Sequence, residues 1–342
     1  LMAGQKVIAV AGTHGKTTTT SMLVHILREC GADPSYIVGG VLANTGDNAG
    51  VGDGGIFVIE ADEYDNMFLG LQPDVAVITN LEWDHPDFFH TEADLIDSFR
   101  RFVRITQDNG GHLIIEADAQ AILNAPDAQT YDLNAVEHIE HTPEYTQFDF
   151  RGQTLRLALP GAHNVLNAVA AVLASGQDGA CVADALATFK TTGRRFDVRG
   201  EANGVTIIDD YAHHPTAIKA TLAAARARYP DKWLYAVWQP HTYSRTHTLL
   251  NQYAVAFESA DVVLVTDIYA AREQPIAGVD GKSTAKAIRH PHVQHIAGLE
   301  NLTEWLLHQV ESPAVVIIMS AGDAIDVGIA YMKRVNHGDT NT

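Results

Sequence analysis

The chain has 342 residues, room for two domains at roughly 150 residues each. Its 46% hydrophobic and 19% charged residues fit a globular chain that buries more than one core, and no apolar run reaches the length of a membrane span. The 42 acidic against 23 basic side chains, a net charge of −19, argue against nucleic-acid binding and an anionic membrane surface, so an anionic ligand needs a local cluster of donors.

An apolar, β-branched stretch at 6–11 reads as a buried parallel strand, as do 56–61 and 75–79. No basic leader with a cleavage site precedes the first, so no signal peptide is expected, and the abrupt start reads as that of a piece of a longer protein. Helical patterns cover 17–30, closed by Gly31, and 92–104. Short strands at 136–140, 146–150 and 154–159, with a turn at Arg151-Gly152, predict an antiparallel patch. Helices at 164–175 and 183–189 follow, and the polar stretch 191–197 marks a boundary. Beyond it strands at 205–209, 234–239, 262–266 and 314–319 alternate with helices at 215–229, 249–259, 299–310 and 324–335. The expected fold is α/β. It comprises a domain over 1–196 with the antiparallel patch, a Rossmann-like domain over 197–336 and a frayed polar tail at 337–342. Two cysteines, Cys30 and Cys181, are too few for a disulfide framework and fit a reducing cytosol.

The string Ala11-Gly12-Thr13-His14-Gly15-Lys16-Thr17 joins the first strand to the first helix. Backbone N–H groups of such a turn, with the helix N-terminus, form a nest for phosphate oxygens. Lys16 can reach β- and γ-phosphates, and the Thr17 hydroxyl can ligate Mg²⁺. The usual pattern is G-x-x-x-x-G-K-[ST], and here Val10 replaces its first glycine. A ligand-free glycine-rich turn is the alternative, but strand–Gly-Lys-Thr–helix favours a nucleoside triphosphate site. The first domain is therefore expected to be a P-loop ATPase domain. The threonine run at 17–20 is poor helix sequence, tolerated where hydroxyls face phosphate and metal.

The second strand ends in Glu60-Ala61-Asp62-Glu63-Tyr64-Asp65, and the third in Thr79-Asn80-Leu81-Glu82-Trp83-Asp84-His85. Both lie at the carboxyl edge, where α/β sheets bind ligands. A histidine after a strand is by itself an ordinary loop residue. Three strand ends bearing Lys-Thr, Glu and Asp-His together suit two metal ions.

With the later strings Pro160-Gly161-Ala162-His163-Asn164-Val165-Leu166-Asn167, Gly193-Arg194-Arg195-Phe196-Asp197, Asp209-Asp210-Tyr211-Ala212-His213-His214-Pro215 and Gln239-Pro240-His241-Thr242-Tyr243-Ser244-Arg245-Thr246, the chain resembles the Mur ligases. These are ATP-dependent amide-forming enzymes of peptidoglycan precursor synthesis, and the likeness runs from about 5 to 335. The resemblance implies that Gly12, Thr13, His14, Gly15, Lys16, Thr17 and Thr18 hold ATP. It implies Thr17, Glu60 ahead of Glu63, and His85 as ligands of two Mg²⁺ ions. Asn167, with His163 and Asn164, is implied on the adenine side, Arg195 at the terminal phosphates and Asp210 near the ribose. His213 and Arg245 are implied to hold the amino-acid substrate, an arginine fork suiting its carboxylate. Tyr211 either touches substrate or packs. The implied catalytic set is Lys16, His85, Arg195, His213 and Arg245. Read alone, Asn164 or Asn167 also suits a helix cap, Arg194 and Arg195 suit solvated linker charges, and His214-Pro215 suits a helix start.

Among Mur ligases, the later strings are similar to those of members that join L-alanine to UDP-N-acetylmuramate through an acyl phosphate, in the cytoplasm. A member that attaches a preformed tripeptide to the same sugar nucleotide, and an ATP-binding module without ligase activity, stay open. Thr242 stands where some members carry a second arginine, which implies that one carboxylate contact is either weaker or supplied elsewhere. The helix at 92–104 offers only arginines, Arg100 among them, where sister ligases use a carbamoylated lysine. The family's N-terminal UDP-sugar-binding domain is expected to be lacking.

Overall fold

A computed structural model describes residues 2–142 and 144–337. Apart from His337, the expected polar tail lies outside the described residues. The chain divides into two compact units, Leu1–Gly193 and Arg194–Thr342.

In the first unit a seven-stranded sheet is built from β1 (Lys6–Ala11), β2 (Ser35–Ile37), β3 (Ala49–Gly50), β4 (Ile56–Glu60), β5 (Val75–Ile78), β6 (His112–Glu116) and β7 (Gln129–Tyr131). Its order is β3-β2-β4-β1-β5-β6-β7, and only the β2–β3 pair is antiparallel. β1 sits near the centre with residues 7–11 buried, as an unbroken apolar run in a parallel sheet requires. Its helices are α1 (Lys16–Glu29), α2 (Glu92–Asp108), α3 (Ala117–Leu123), α4 (Ala162–Ser175) and α5 (Ala180–Thr188). α2 opens on a capping box, in which Thr91 and Asp94 exchange side-chain-to-backbone bonds. It packs Phe99 and Phe102 around Phe68 and over the Ile78 and Ile115 strand face.

The antiparallel patch is β8 (Glu137–His141), β9 (Thr146–Phe150) and β10 (Gln153–Leu157). Arg151 and Gly152 turn β9 into β10 with φ of 52° and 74°, the positive values that a two-residue hairpin needs. Cys30 and Cys181 are joined in a disulfide, with Cα atoms 5.4 Å apart, where thiols were expected. The two lie 151 residues apart, and only the packing of α1 on α5 brings them together.

The second unit holds β11 (Asp197–Ala202), β12 (Val205–Asp210), β13 (Trp233–Trp238), β14 (Val262–Val265), β15 (Val293–His295) and β16 (Ala314–Met319). Their order is β11-β12-β16-β13-β14-β15, parallel except at β11. The helices are α6 (Pro215–Arg228), α7 (Tyr243–Thr248), α8 (Leu250–Tyr253), α9 (Gly281–Ala287), α10 (Leu299–Gln309) and α11 (Ile325–His337). One helix at 249–259 was expected, and two short ones stand at 243–253. The Thr242 hydroxyl accepts from Arg245 N and starts α7 earlier, while Leu249 at φ −98°, ψ 13° separates it from α8. No helix among the described residues is long and apolar enough to cross a membrane.

Candidate active site

β1 runs into Gly12, which has φ +133°, and a Cβ there would lie 2.1 Å from Thr79 Oγ1. Gly15 is the N-cap of α1 at φ +80°, and a Cβ on it would meet Asn167 Oδ1 at 2.4 Å. Neither position admits a side chain. The helix start has no side-chain cap, which suits its first-turn N–H groups to an anion. Lys16 folds back over this turn. Its Nζ donates to Gly12 O at 2.7 Å and Thr13 O at 3.3 Å, and lies 2.7 Å from Glu63 Oε2. Burial opposes the ammonium charge, but Glu63, with Glu60 and Asp62, outweighs it and holds the Lys16 pKa above its ordinary value. Against its own burial, Glu63 is held below the ordinary carboxylate range by Lys16 and His85.

The Thr17 hydroxyl donates to Glu60 Oε1 at 2.7 Å, and Gly39 N–H donates to Glu60 Oε2 at 2.6 Å. His85 Nε2 lies 3.5 Å from Glu63 Oε1 and 3.9 Å from Asp84 Oδ2. Thr18 is buried in α1. Asn167 Oδ1 accepts from the Thr19 hydroxyl at 3.2 Å, and its Nδ2 donates to Asn164 Oδ1 at 3.2 Å. Asn164 in turn donates to Pro160 O at 2.7 Å. Gly161 is the N-cap of α4, so neither asparagine caps it. His163 is exposed on its first turn. The first unit therefore assembles the phosphate loop, Glu60, Glu63, His85 and Asn167 around the carboxyl ends of β1, β4 and β5.

The remaining expected residues lie in the second unit: Arg195 just before β11, Asp210 at the end of β12, Tyr211 and His213 after it, and Arg245 after β13. Both Asp210 oxygens accept backbone N–H groups, from Phe196 and Ala212, each at 2.7 Å. Its carboxylate thus shapes the loop on either side, and burial raises its pKa despite Arg195. Arg195 lies over the Tyr211 ring at 4.6 Å. Arg194 donates to Ser320 O at 2.6 Å and Gly322 O at 3.2 Å, so it is a structural brace and not a solvated linker charge. Tyr211 packs edge-on against His213 at 5.3 Å. His213 Nδ1 bonds Tyr211 O at 2.9 Å, and its own carbonyl accepts from Tyr253 Oη at 2.6 Å. His214 caps α6, its ring nitrogen accepting from Thr216 N. Arg245, buried, meets His241 Nδ1 at 2.9 Å, and His241 lies 5.7 Å from His213, ring to ring.

Residues 10–175 match the Mur ligase middle domain, and residues 194–322 match the domain described as Mur ligase, glutamate ligase domain. The chain belongs to the Mur ligase family. A UDP-N-acetylmuramate–L-alanine ligase of Roseiflexus castenholzii is 37% identical, over 98% of this chain and 78% of that protein. The crystal structure of a UDP-N-acetylmuramate–alanine ligase from Thermotoga maritima matches with a TM-score of 0.80 at 26% identity, over 98% of this chain and 76% of that one. A murein peptide ligase from Psychrobacter arcticus matches with a TM-score of 0.69 at 26% identity, over 100% and 79% respectively. Mur ligases are ATP-dependent amide-forming enzymes.

In this Mur ligase the Thr17 hydroxyl and Glu60 carboxylate are hard oxygen donors side by side, the chemistry that Mg²⁺ takes. A Cβ on Gly39 would lie 2.8 Å from Glu60 Oε2, so glycine there keeps the carboxylate in place. The residues present fit the ion. Glu63, expected behind Glu60, and His241, not among the expected residues, both belong to these clusters. The short 3₁₀ segment Tyr64–Gly70 turns the chain directly after Glu63, and spacing along β4 does not show which carboxylate comes back to Lys16. His241 stood in a quoted motif, but only packing places it between His213 and Arg245. Arg100, at the position expected to matter for a carbamoylated lysine, donates to Ile122 O at 3.0 Å.

Proposed function

We propose that this Mur ligase joins L-alanine to UDP-N-acetylmuramate, with ATP converted to ADP and phosphate. The observation that carries the reading is the Lys16–Glu63, Thr17–Glu60 pairing within a side-chain-excluding phosphate loop. The relative at 37% identity supports the choice of substrates, and the TM-scores of 0.80 against 0.69 favour the alanine enzyme over the tripeptide sibling.

Thr17 and Glu60 would hold one Mg²⁺, and His85 a second, whose charge offsets that of the phosphates. Lys16 exchanges Glu63 for the β- and γ-phosphates and neutralises the charge that builds up on them. Loop N–H groups behind Gly12 and Gly15 orient the chain of phosphates. The lactyl carboxylate oxygen attacks the γ-phosphorus, the bond to the β-phosphate oxygen breaks, and ADP leaves an acyl phosphate. The alanine amine then attacks the acyl carbon and phosphate departs. In the second unit Arg245 pairs with the alanine carboxylate, oriented by His241, and His213 faces the amine. Arg195 adds charge at the terminal phosphates, Asp210 serves the ribose by way of the loop it shapes, and Asn164, Asn167 and His163 serve the adenine side. Dependence on ATP supports a cytoplasmic setting.

The test is product mass spectrometry with Mg²⁺-ATP, UDP-N-acetylmuramate and, in turn, L-alanine or a murein tripeptide. Product with L-alanine alone is expected. Product with the tripeptide alone would establish the sibling activity, and nucleotide binding without either product would leave an ATP-binding module.

A further inference from the structure

The phosphate loop of this protein is shaped from outside itself. Val10, which stands where a glycine is usual, is an ordinary β1 residue in register with Glu60 and Val77. The loop is bound instead to the segment that leaves β5. Asn80 Oδ1 accepts from His14 N at 2.9 Å, and Asn80 Nδ2 donates to His14 O at 2.9 Å. One amide side chain thus engages both polar backbone groups of a single loop residue. The Thr79 hydroxyl donates to the same carbonyl at 2.6 Å. A second reciprocal bridge lies beside it: Thr13 Oγ1 donates to Glu82 O at 2.8 Å and accepts from Glu82 N at 2.9 Å. His14 Nε2 also meets Glu82 Oε2 at 2.8 Å. Gly12, with its Cβ position filled by Thr79 Oγ1, allows this close approach.

We propose that Asn80 is a positioning residue of the phosphate loop, its amide fixing the His14 peptide groups so that the N–H groups of Gly15, Lys16 and Thr17 converge on the β-phosphate. This rests on the reading of residues 12–17 as the phosphate site. Asn80 acts through His14 and touches no substrate. Its side chain is nearly irreplaceable: aspartate keeps the acceptor for His14 N but turns an anionic oxygen on His14 O, and alanine offers neither group. Because the short bonds of the amide go to the loop, with Thr79 Oγ1 at 3.5 Å its other partner, its loss should be felt where the loop meets a β-phosphate and little elsewhere on the nucleotide.

The test is calorimetric titration of the 342-residue protein with ADP and with AMP, both with Mg²⁺, for wild type, Asn80→Ala and Asn80→Asp, each first checked for folding by its thermal transition. Wild type is expected to bind ADP more tightly than AMP. In Asn80→Ala the ratio Kd(AMP)/Kd(ADP) should fall about tenfold, two hydrogen bonds' worth, with AMP affinity held within about twofold. Asn80→Asp, which retains the shape, should lower the ratio at least as far and keeps the question open to decision if Asn80→Ala does not fold. Equal loss of ADP and AMP affinity, or an unchanged ratio in both variants, would overturn the proposal while leaving the phosphate site intact. Failure of the wild type to distinguish ADP from AMP would overturn the phosphate-site reading itself.

Discussion

Lys16 is held by carbonyl oxygens and a carboxylate in the place where phosphate oxygens would be. Replacing it by alanine removes a charge-assisted set of bonds, and Mg²⁺-ADP affinity is expected to fall about a hundredfold. Calorimetry on the folded variant checks this, and retained affinity would contradict the site. The substitution also leaves Glu63 buried without its cation, so about 3 kcal/mol of stability should go with it. Asp209 makes a different prediction. It is 1% exposed, neither carboxylate oxygen has a hydrogen-bond donor among the described residues, and Arg194 Nε lies 3.5 Å away. Burial pushes its carboxyl up to about 6, against the pull of Arg194. A raised carboxylate pKa means that the folded state keeps its proton after the unfolded state has lost it, so stability falls as pH rises from about 4 to 6. Asp209→Asn removes that loss. Its stability relative to wild type should grow by about 2 kcal/mol between pH 4 and pH 7, measured by urea unfolding. A pH-independent difference would show that folding does not raise the Asp209 pKa.

Elements with an unbroken apolar run were legible in the sequence. β1, β4 and β5 follow their β-branched stretches, and β16 spans residues 314–319 as expected. The antiparallel patch was legible from alternation and from the Arg151-Gly152 turn. β11 was not, because its residues alternate charge with small side chains and pair antiparallel to β12 from an exposed edge. α7 was not, because Tyr243–Thr248 has no apolar period and is set by the Thr242 cap. At the site, residues adjacent to a glycine or a strand end were visible as motifs, whereas the Asn80–His14 bridge spans 66 residues and has no local signature. The Cys30–Cys181 link joins α1 to α5 in the same non-local way. Closing so long a loop should stabilise the first unit by about 5 kcal/mol. Reduction, or Cys181→Ser, is expected to lower its unfolding transition accordingly, and an unchanged transition would mean that α1 and α5 hold together equally well as thiols.

Each unit has its own apolar core, around Phe68, Phe99 and Phe102 in the first and around Val237, Leu264 and Ile318 in the second. The phosphate loop belongs to one and the His213–His241–Arg245 cluster to the other, so the two ligands should leave different footprints. Hydrogen exchange is expected to show the strongest ADP protection at residues 12–20 and L-alanine protection at 241–249; a shared footprint would contradict that division of work. In the proposed reaction a carboxylate takes the γ-phosphoryl group from ATP before the amine arrives. ¹⁸O carried in the lactyl carboxylate of UDP-N-acetylmuramate follows that transfer. One ¹⁸O per amide formed should appear in the released phosphate, because the attacking oxygen leaves with phosphorus. Amide formation with unlabelled phosphate would show that the carboxylate never met the γ-phosphorus, contrary to the proposed roles of Lys16, Thr17 and Glu60.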